Sequence, residues 1–192
     1  MRLAINIPQI DVFSDEELYT FCRANPELRI ERNEKGQIII MPPAGIETSF
    51  RNSDLLTEIN IWNRKTRLGR VSDSNGGYTL PDSSMRAPDV AWVSNEQLAN
   101  VTLSDLKKFA HICPDFIIEL MSESDEIADL KEKMVKWIDN GVRLGWLIEP
   151  KKRQTYVYRL SNGIDYEVIP FAEKLYGDEV LPGLELRLTD IF

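Results

Sequence analysis

Two short stretches decide the fold: DVAWV at residues 89–93 and DFIIELM at residues 115–121. Both are rich in β-branched and aromatic residues, a composition that is typical of strands. In the second stretch, apolar residues occupy both alternating sets of positions, so both faces of the predicted strand are apolar. Such a strand normally lies in the centre of a sheet, with another layer packed on each side.

Glu119 is the exception, because its carboxylate falls in the middle of the second strand. An unpaired buried carboxylate costs several kcal/mol, so it needs a proton, a basic partner or a metal ion. The same argument applies to Asp89 at the start of the first strand. If the strands are neighbours, the two carboxylates can converge and hold Mg²⁺ or Mn²⁺, with water as the other ligands. The structural alternative is a turn cap for Asp89 and an ion pair for Glu119.

Around these strands, helical and strand patterns alternate, which predicts an α/β fold with a mixed β-sheet flanked by helices. A long central helix is predicted because apolar residues recur at helical spacing: Phe50, Leu55, Ile59 and Trp62. In chain order, the first predicted elements are a helix capped by Ser14, a hairpin turning at 33–36, a helix over about 47–67 that ends at Gly69, and a hairpin-like stretch VSDSNGGYTL (71–80). The strands at 89–93 and 115–121 follow, with two short helical pieces around NEQLA and LSDLKKF between them. The chain continues with a helix over about 124–140 and additional C-terminal strands, which include a hairpin turning at Asn162-Gly163.

Composition limits the chemistry that the chain can perform. With 192 residues and no linker or repeat, we expect one domain over residues 1–192. His111 is the only histidine and Cys22 and Cys113 the only cysteines, which excludes a histidine cluster and a disulfide framework. The sequence shows no signal peptide or membrane span, so a cytoplasmic protein is expected. A net charge of −8 opposes long-range attraction to DNA, although a divalent cation reverses the local sign.

Five segments together resemble the Uma-type family of putative restriction endonucleases, a branch of the PD-(D/E)XK nuclease superfamily. The segments that carry the two central motifs are RAPDVAWVS (86–94) and PDFIIELMSESD (114–125). The others are PPAGIETSFRNSDLLTEI (42–59), DLKEKMVKWIDNGVRLGWLIEP (129–150) and LPGLELRLTDIF (181–192). The resemblance implies a restriction-endonuclease-like core that acts on DNA with a divalent metal.

The resemblance also implies roles for individual residues. Asp89 and Glu119 match the carboxylates that bind the catalytic metal, and Glu47 matches an acidic position that completes the site. Where the superfamily places lysine, two residues after Glu119, this chain has Met121. In this family the lysine is supplied by the following helix, and the matching residue is Lys133. A second departure is Thr48, where many relatives have histidine, and this departure puts activity in doubt.

Helix geometry supports the assignment of Lys133 in part. At about 100° per residue, Lys133 falls at the edge of the apolar stripe, roughly 90° from its centre, and an edge lysine can bring its ammonium to a nearby site. Lys131 flanks the opposite edge and Lys136 points away from the stripe. The structural alternative is a surface pair between Lys133 and Asp129, worth only about 0.3–0.5 kcal/mol. The apolar stripe consists of Ile127, Leu130, Met134, Trp137 and Ile138.

Some polar residues near the motifs allow two interpretations. Ser122 and Ser124 match family serines that either contact substrate or cap the next helix, and capping is the interpretation we favour. The stretch NRKTRLGR, with help from two further lysines, is either a DNA-facing surface or a solvated helix face, and we favour the solvated face. The basic residues concerned are Arg64, Lys65, Arg67, Arg70, Lys107 and Lys108.

The function predicted from these residues is metal-dependent hydrolysis of DNA phosphodiester bonds. In that reaction Asp89 and Glu119 hold the cation, while Lys133 orients the water or offsets negative charge. The first alternative is an inactive relative that keeps the fold as a binding or assembly module. The second is a glycoside hydrolase that uses the two carboxylates as acid and base, which the small size and four tryptophans make the weaker hypothesis. The sequence is also compatible with a homodimer.

Overall fold

The structure is a computed structural model that describes the backbone of residues 3–5 and residues 13–192 in full. The described residues form the helices α1 (Asp15–Ala24), α2 (Ile46–Thr66), α3 (Asn95–Leu98) and α4 (Ile127–Asp139). They form the strands β1 (Leu3–Ile5), β2 (Arg29–Arg32), β3 (Ile38–Met41), β4 (Gly69–Asp73), β5 (Tyr78–Thr79), β6 (Met85–Arg86), β7 (Val90–Ser94), β8 (Ala110–His111), β9 (Phe116–Leu120), β10 (Leu144–Glu149), β11 (Gln154–Arg159), β12 (Tyr166–Pro170), β13 (Lys174–Tyr176) and β14 (Glu185–Arg187).

The main sheet has the strand order β12-β11-β10-β9-β7-β4. Strands β9 and β10 run parallel because helix α4 crosses over between them, whereas the other neighbours are antiparallel. The prediction of a mixed sheet is therefore confirmed. The C-terminal hairpin is confirmed as well, since β11 pairs with β12 around a turn in which Gly163 has a φ of 62°.

One helix covers each face of this sheet. Leu55 and Ile59 of α2 pack in the same apolar cluster as Phe116. On the opposite face, Trp137 of α4 packs in the same cluster as Ile117. The alternating residues of β9 thus enter two separate cores, as the two apolar faces of 115–121 predict.

A second, smaller sheet has the order β1-β3-β2-β6-β5-β8. The predicted hairpin is confirmed in β2 and β3, which pair antiparallel on either side of the turn at 33–36. Helix α1 packs Leu18 against Ile30 and Ile38 of this hairpin. Ser14 caps α1 as expected: its hydroxyl accepts from the Glu17 amide, and the Glu17 carboxylate accepts from the Ser14 amide.

The stretch VSDSNGGYTL is not a hairpin, and that prediction is wrong. Strand β4 pairs with β7 in the main sheet, whereas β5 pairs with β6 and β8 in the small sheet. The turn residues in this stretch therefore link the two sheets. A glycine-rich turn permits a reversal of the chain, but it does not determine which strand becomes the partner.

Helix α2 agrees with the expected range of about 47–67 but differs from expectation in two details. It ends at Arg67, whose φ of 57° lies in the left-handed region, and not at Gly69. Gly69 belongs to β4, where a Cβ atom would lie 2.1 Å from the carbonyl oxygen of Val93, so a close approach of two strands requires this glycine. Phe50, expected in the apolar stripe, is 62% exposed. None of the described helices combines the length and apolar character needed to cross a bilayer.

Candidate active site

The pairing of β7 with β9 brings Asp89 next to Glu119. The register joins Val90 to Ile118 and Ala91 to Ile117, so Asp89, directly before β7, lies beside the end of β9 that carries Glu119. Glu119 contacts α4, whereas Asp89 contacts the Leu120 amide of β9 and Asn52 of α2. Both carboxylates line the same cavity. The predicted neighbourhood of the two strands is therefore confirmed.

Asp89 is held at the end of β9 by both carboxylate oxygens. Its Oδ2 accepts a 2.8 Å hydrogen bond from the Leu120 amide, and its Oδ1 accepts one of 3.1 Å from Asn52 Nδ2 of α2. The Arg29 guanidinium lies 3.9 Å from the same Oδ1. Two neutral donors and one distant cation fix the position of the carboxylate without forming a close ion pair.

Glu119 is almost completely buried and binds two donors from α4. Trp137 Nε1 donates to Oε1 at 2.9 Å, and Lys133 Nζ lies 2.8 Å from the same oxygen. Both donors reach the same oxygen, Oε1. Burial raises the pKa of Glu119 above its ordinary value, and the nearby charges of Asp89 and Glu31 raise the pKa further, against the opposing effect of Lys133.

Lys133 is turned into the protein and not along its surface. Its side chain is 3% exposed, and it contacts Glu119 and also Glu31, whose Oε1 lies 2.9 Å from the ammonium. The alternative of a surface pair with Asp129 is therefore wrong. Its two neighbours on α4 go elsewhere: Lys131 lies over the ring of Tyr156 and Lys136 pairs with Glu34.

Glu31 is a site residue that sequence reasoning missed. It is 2% exposed on β2, and besides Lys133 it accepts a hydrogen bond of 3.2 Å from the Ala87 amide. The sequence contains a signal that could have indicated the burial of Glu31. The partner strand has three consecutive isoleucines at 38–40, and Glu31 pairs with the middle one. A hairpin with apolar residues on both faces buries an acidic residue at its centre, which is the argument already applied to Glu119.

The predicted site residues line one cavity of about 400 Å³. Asp89, Glu119 and Lys133 form part of its wall, and Glu47 lies at the start of α2 on the same cavity. The Glu47 side chain is 71% exposed and pairs with Arg51 at 2.5 Å. Within residues 3–5 and 13–192, no three Asp, Glu, His or Cys side chains converge as a ready metal cluster. The structure therefore brings two of the three predicted carboxylates together and leaves Glu47 apart.

The residues present suit a hard divalent cation. Such ions prefer carboxylate and amide oxygens, and they often retain several waters beside one or two carboxylates. In addition to the two carboxylates, Asn52 supplies a buried Oδ1 that has no hydrogen-bond partner among the described residues. An orphaned amide oxygen beside Asp89 is expected where a water or a cation completes the site. Asn52 was not predicted, because nothing in the sequence distinguishes it from other asparagines on α2.

Comparisons with known proteins agree with this architecture. A family model described as "Uma2: Putative restriction endonuclease" matches residues 15–189. The chain belongs to this family. A solved structure described as a putative nuclease belonging to DUF820 from Anabaena variabilis ATCC 29413 has the same fold, with a TM-score of 0.73. Its identity to this Uma2 chain is 23%, and the match covers 86% of this chain and 90% of that one. No curated protein matches the chain significantly.

Two serines of this Uma2 protein differ from expectation. Helix α4 starts at Ile127 with Glu126 as its cap residue, so neither Ser122 nor Ser124 caps it. Ser122 instead donates to the Asp125 carboxylate within the preceding turn, and both serines line the cavity. Thr48 also lines the cavity.

The basic stretch of this Uma2 protein lies away from the cavity. Arg64 and Lys65 are in the last turn of α2, whereas Glu47 is in its first turn. The separation of 17 positions between Glu47 and Arg64 corresponds to roughly 25 Å along the helix axis. Lys108 is paired with Glu16 at 2.5 Å. This geometry agrees with a solvated helix face and not with a surface that lines the site.

Proposed function

We propose that this chain is a divalent-metal-dependent endonuclease that hydrolyses phosphodiester bonds in DNA. One observation carries the proposal: Asp89, directly before β7, and Glu119, on the neighbouring strand β9, line one cavity together with a buried lysine, although they are 30 residues apart in the sequence. Membership of the restriction endonuclease family supports nuclease chemistry. Mg²⁺ or Mn²⁺ is the cation that this set of oxygen ligands favours.

In the proposed reaction, Asp89 and Glu119 hold the cation. When bound, the cation would supply Lewis-acid activation of the attacking water and would neutralise charge on the phosphate. Lys133 contacts the Glu119 carboxylate, and from this position it would orient the attacking water or offset the negative charge that develops on the phosphate. Glu47 would contribute only after leaving Arg51, so we assign it the outer part of the site.

The acidic composition of the chain affects affinity more than chemistry. A net charge of −8 weakens steering of DNA towards the protein, and the basic end of α2 is distant from the site. At the cavity itself, Arg29 lies beside Asp89 and supplies positive charge at its wall. We therefore expect weak DNA binding that depends strongly on the cation and on salt concentration.

The test is DNA cleavage by the wild type, Asp89→Asn and Glu119→Gln, on plasmid and on linear duplex and single-stranded DNA. Each protein is assayed with MgCl₂, with MnCl₂ and with chelator. We expect cleavage by the wild type with either cation, none with chelator, and a loss of at least about 100-fold in both variants. Glu132→Gln is the matched control, because Glu132 is an exposed carboxylate next to Lys133 on α4.

Two outcomes would change the assignment. Wild-type protein that binds MnCl₂ in calorimetry but cleaves no DNA would point to the binding or assembly module. Cleavage of oligosaccharides and not of DNA would point to the glycoside hydrolase. Two proposals on organisation remain. Size-exclusion chromatography with light scattering tests assembly as a homodimer, and limited proteolysis tests whether residues 1–192 form one nuclease domain.

A further inference from the structure

The ammonium of Lys133 lies between two buried carboxylates from different sheets. Its Nζ is 2.8 Å from Glu119 of the main sheet and 2.9 Å from Glu31 of the small sheet. All three side chains are at most 5% exposed. One carboxylate, Glu119, would be enough to neutralise the charge of Lys133, so the presence of a second carboxylate, Glu31, requires an explanation.

The charges explain why a second carboxylate is useful. Without a cation, Lys133 neutralises Glu119 in a region that water hardly reaches. When a divalent cation takes up the charge of Asp89 and Glu119, the ammonium and the cation repel each other at close range. A buried ammonium cannot remain unpaired, so it needs an alternative carboxylate within reach of the same helix position.

Glu31 meets that need because it is fixed and ionised. The Ala87 amide donates to its Oε1, and the Arg86 guanidinium lies 3.9 Å from its Oε2. Burial alone would raise the pKa of Glu31, but Lys133 and Arg86 together hold the pKa below its ordinary value. Arg86 is itself partnered by Glu34 at 3.3 Å, so it does not depend on Glu31 alone for a counter-charge.

We propose that Glu31 is a positioning residue: it takes over the ammonium of Lys133 when a divalent cation binds Asp89 and Glu119, and keeps that ammonium beside the reaction centre. The inference rests on the proposed function, because it assumes a cation at those two carboxylates. It adds that the affinity of the site for the cation depends on a residue of the other sheet that does not touch the cation.

The test is titration of the purified protein with MgCl₂ and with MnCl₂ by calorimetry. Glu31→Gln should raise the dissociation constant at least about tenfold, since Lys133 then loses the carboxylate that lies 2.9 Å from its ammonium. Glu27→Gln is the control, because Glu27 is an exposed carboxylate shortly before β2, and it should change the constant less than about twofold. Thermal unfolding of each variant establishes that the titration temperature lies well below its transition.

A double-mutant cycle with Lys133→Met separates this role from a structural one. In the Lys133→Met background the effect of Glu31→Gln should fall below about twofold, because no ammonium remains to be taken over. An equal loss in both backgrounds, or no loss in the wild-type background, would overturn the proposal for Glu31. If the wild type and Glu119→Gln both fail to bind either cation, the proposed metal site fails and the role of Glu31 fails with it.

Discussion

Two buried tryptophans offer a matched test of the hydrogen bond that holds Glu119. Trp137 and Trp146 are both 0% exposed, on opposite faces of the main sheet. Trp137 Nε1 donates to Glu119 at 2.9 Å, whereas Trp146 Nε1 has no hydrogen-bond partner within the described residues. Replacing either residue by phenylalanine removes similar apolar volume, but only Trp137→Phe removes a hydrogen bond.

The expected difference in stability between the two variants follows from the hydrogen bond that only the Trp137 indole makes. A hydrogen bond to a charged group contributes about 1.5–3 kcal/mol, and removing an unsatisfied buried N–H relieves a cost of about 1–3 kcal/mol. The loss of ring volume is similar in both variants and largely cancels in the comparison. Trp137→Phe should therefore be less stable than Trp146→Phe by at least about 1.5–3 kcal/mol.

Urea unfolding at pH 7, followed by far-UV circular dichroism, measures this difference. Similar m values in the two variants would show that both unfold from comparable native states, so that the midpoints report stability. Equal losses, or a larger loss in Trp146→Phe, would refute the view that the indole of Trp137 stabilises an ionised Glu119. Addition of MnCl₂ should reduce the difference in the free energy of unfolding between the two variants if the cation also stabilises the Glu119 carboxylate.

Two further predictions concern residues outside the site. The pKa of Glu149 is below its ordinary value: burial would raise it, but hydrogen bonds from Tyr156, Gln154 and Lys152 outweigh that effect. Its contribution to stability is therefore complete above about pH 4.5 and is lost as the pH falls through the lowered pKa, so the deficit of Glu149→Gln in urea unfolding should shrink from pH 7 towards pH 3. Gly69→Ala should lower the free energy of unfolding by about 1–3 kcal/mol or more, because the new Cβ would lie 2.1 Å from a backbone oxygen; an unchanged melting temperature would contradict this.

The main sheet and two members of the site could be predicted from local pattern. The double alternation of apolar residues in 115–121 places β9 at the centre of the sheet, and the isolated carboxylate within it marks Glu119. Both steps use only the period of a strand and the cost of burying a charge. The approach of Asp89 to Glu119 needs the further condition that β7 and β9 are neighbours, which the sequence pattern leaves open.

Other parts depend on contacts that local pattern does not contain. Glu31 and Lys133 are 102 residues apart and belong to different layers, so no periodicity joins them. The phase of helix α4 places Lys133 at the edge of the stripe, but the presence of a second sheet on that side decides that it is buried. The prediction of a hairpin at 71–80 is wrong for the same reason, because the turn residues are the same whether the next strand returns to the same sheet or enters another.

The cluster of Glu31, Lys133 and Glu119 is better explained by function than by stability. Buried ion pairs recover little more than the cost of desolvating their charges, and apolar replacements of similar volume are often neutral or stabilising. A chain that needed only a stable contact between its two sheets could fill this space with apolar side chains. Here three charged side chains from β2, β9 and α4 instead contact one another, and two of them, Glu119 and Lys133, line the same cavity as Asp89. The position of that charge, at the site where we propose that a cation binds, is what connects the arrangement to the proposed hydrolysis.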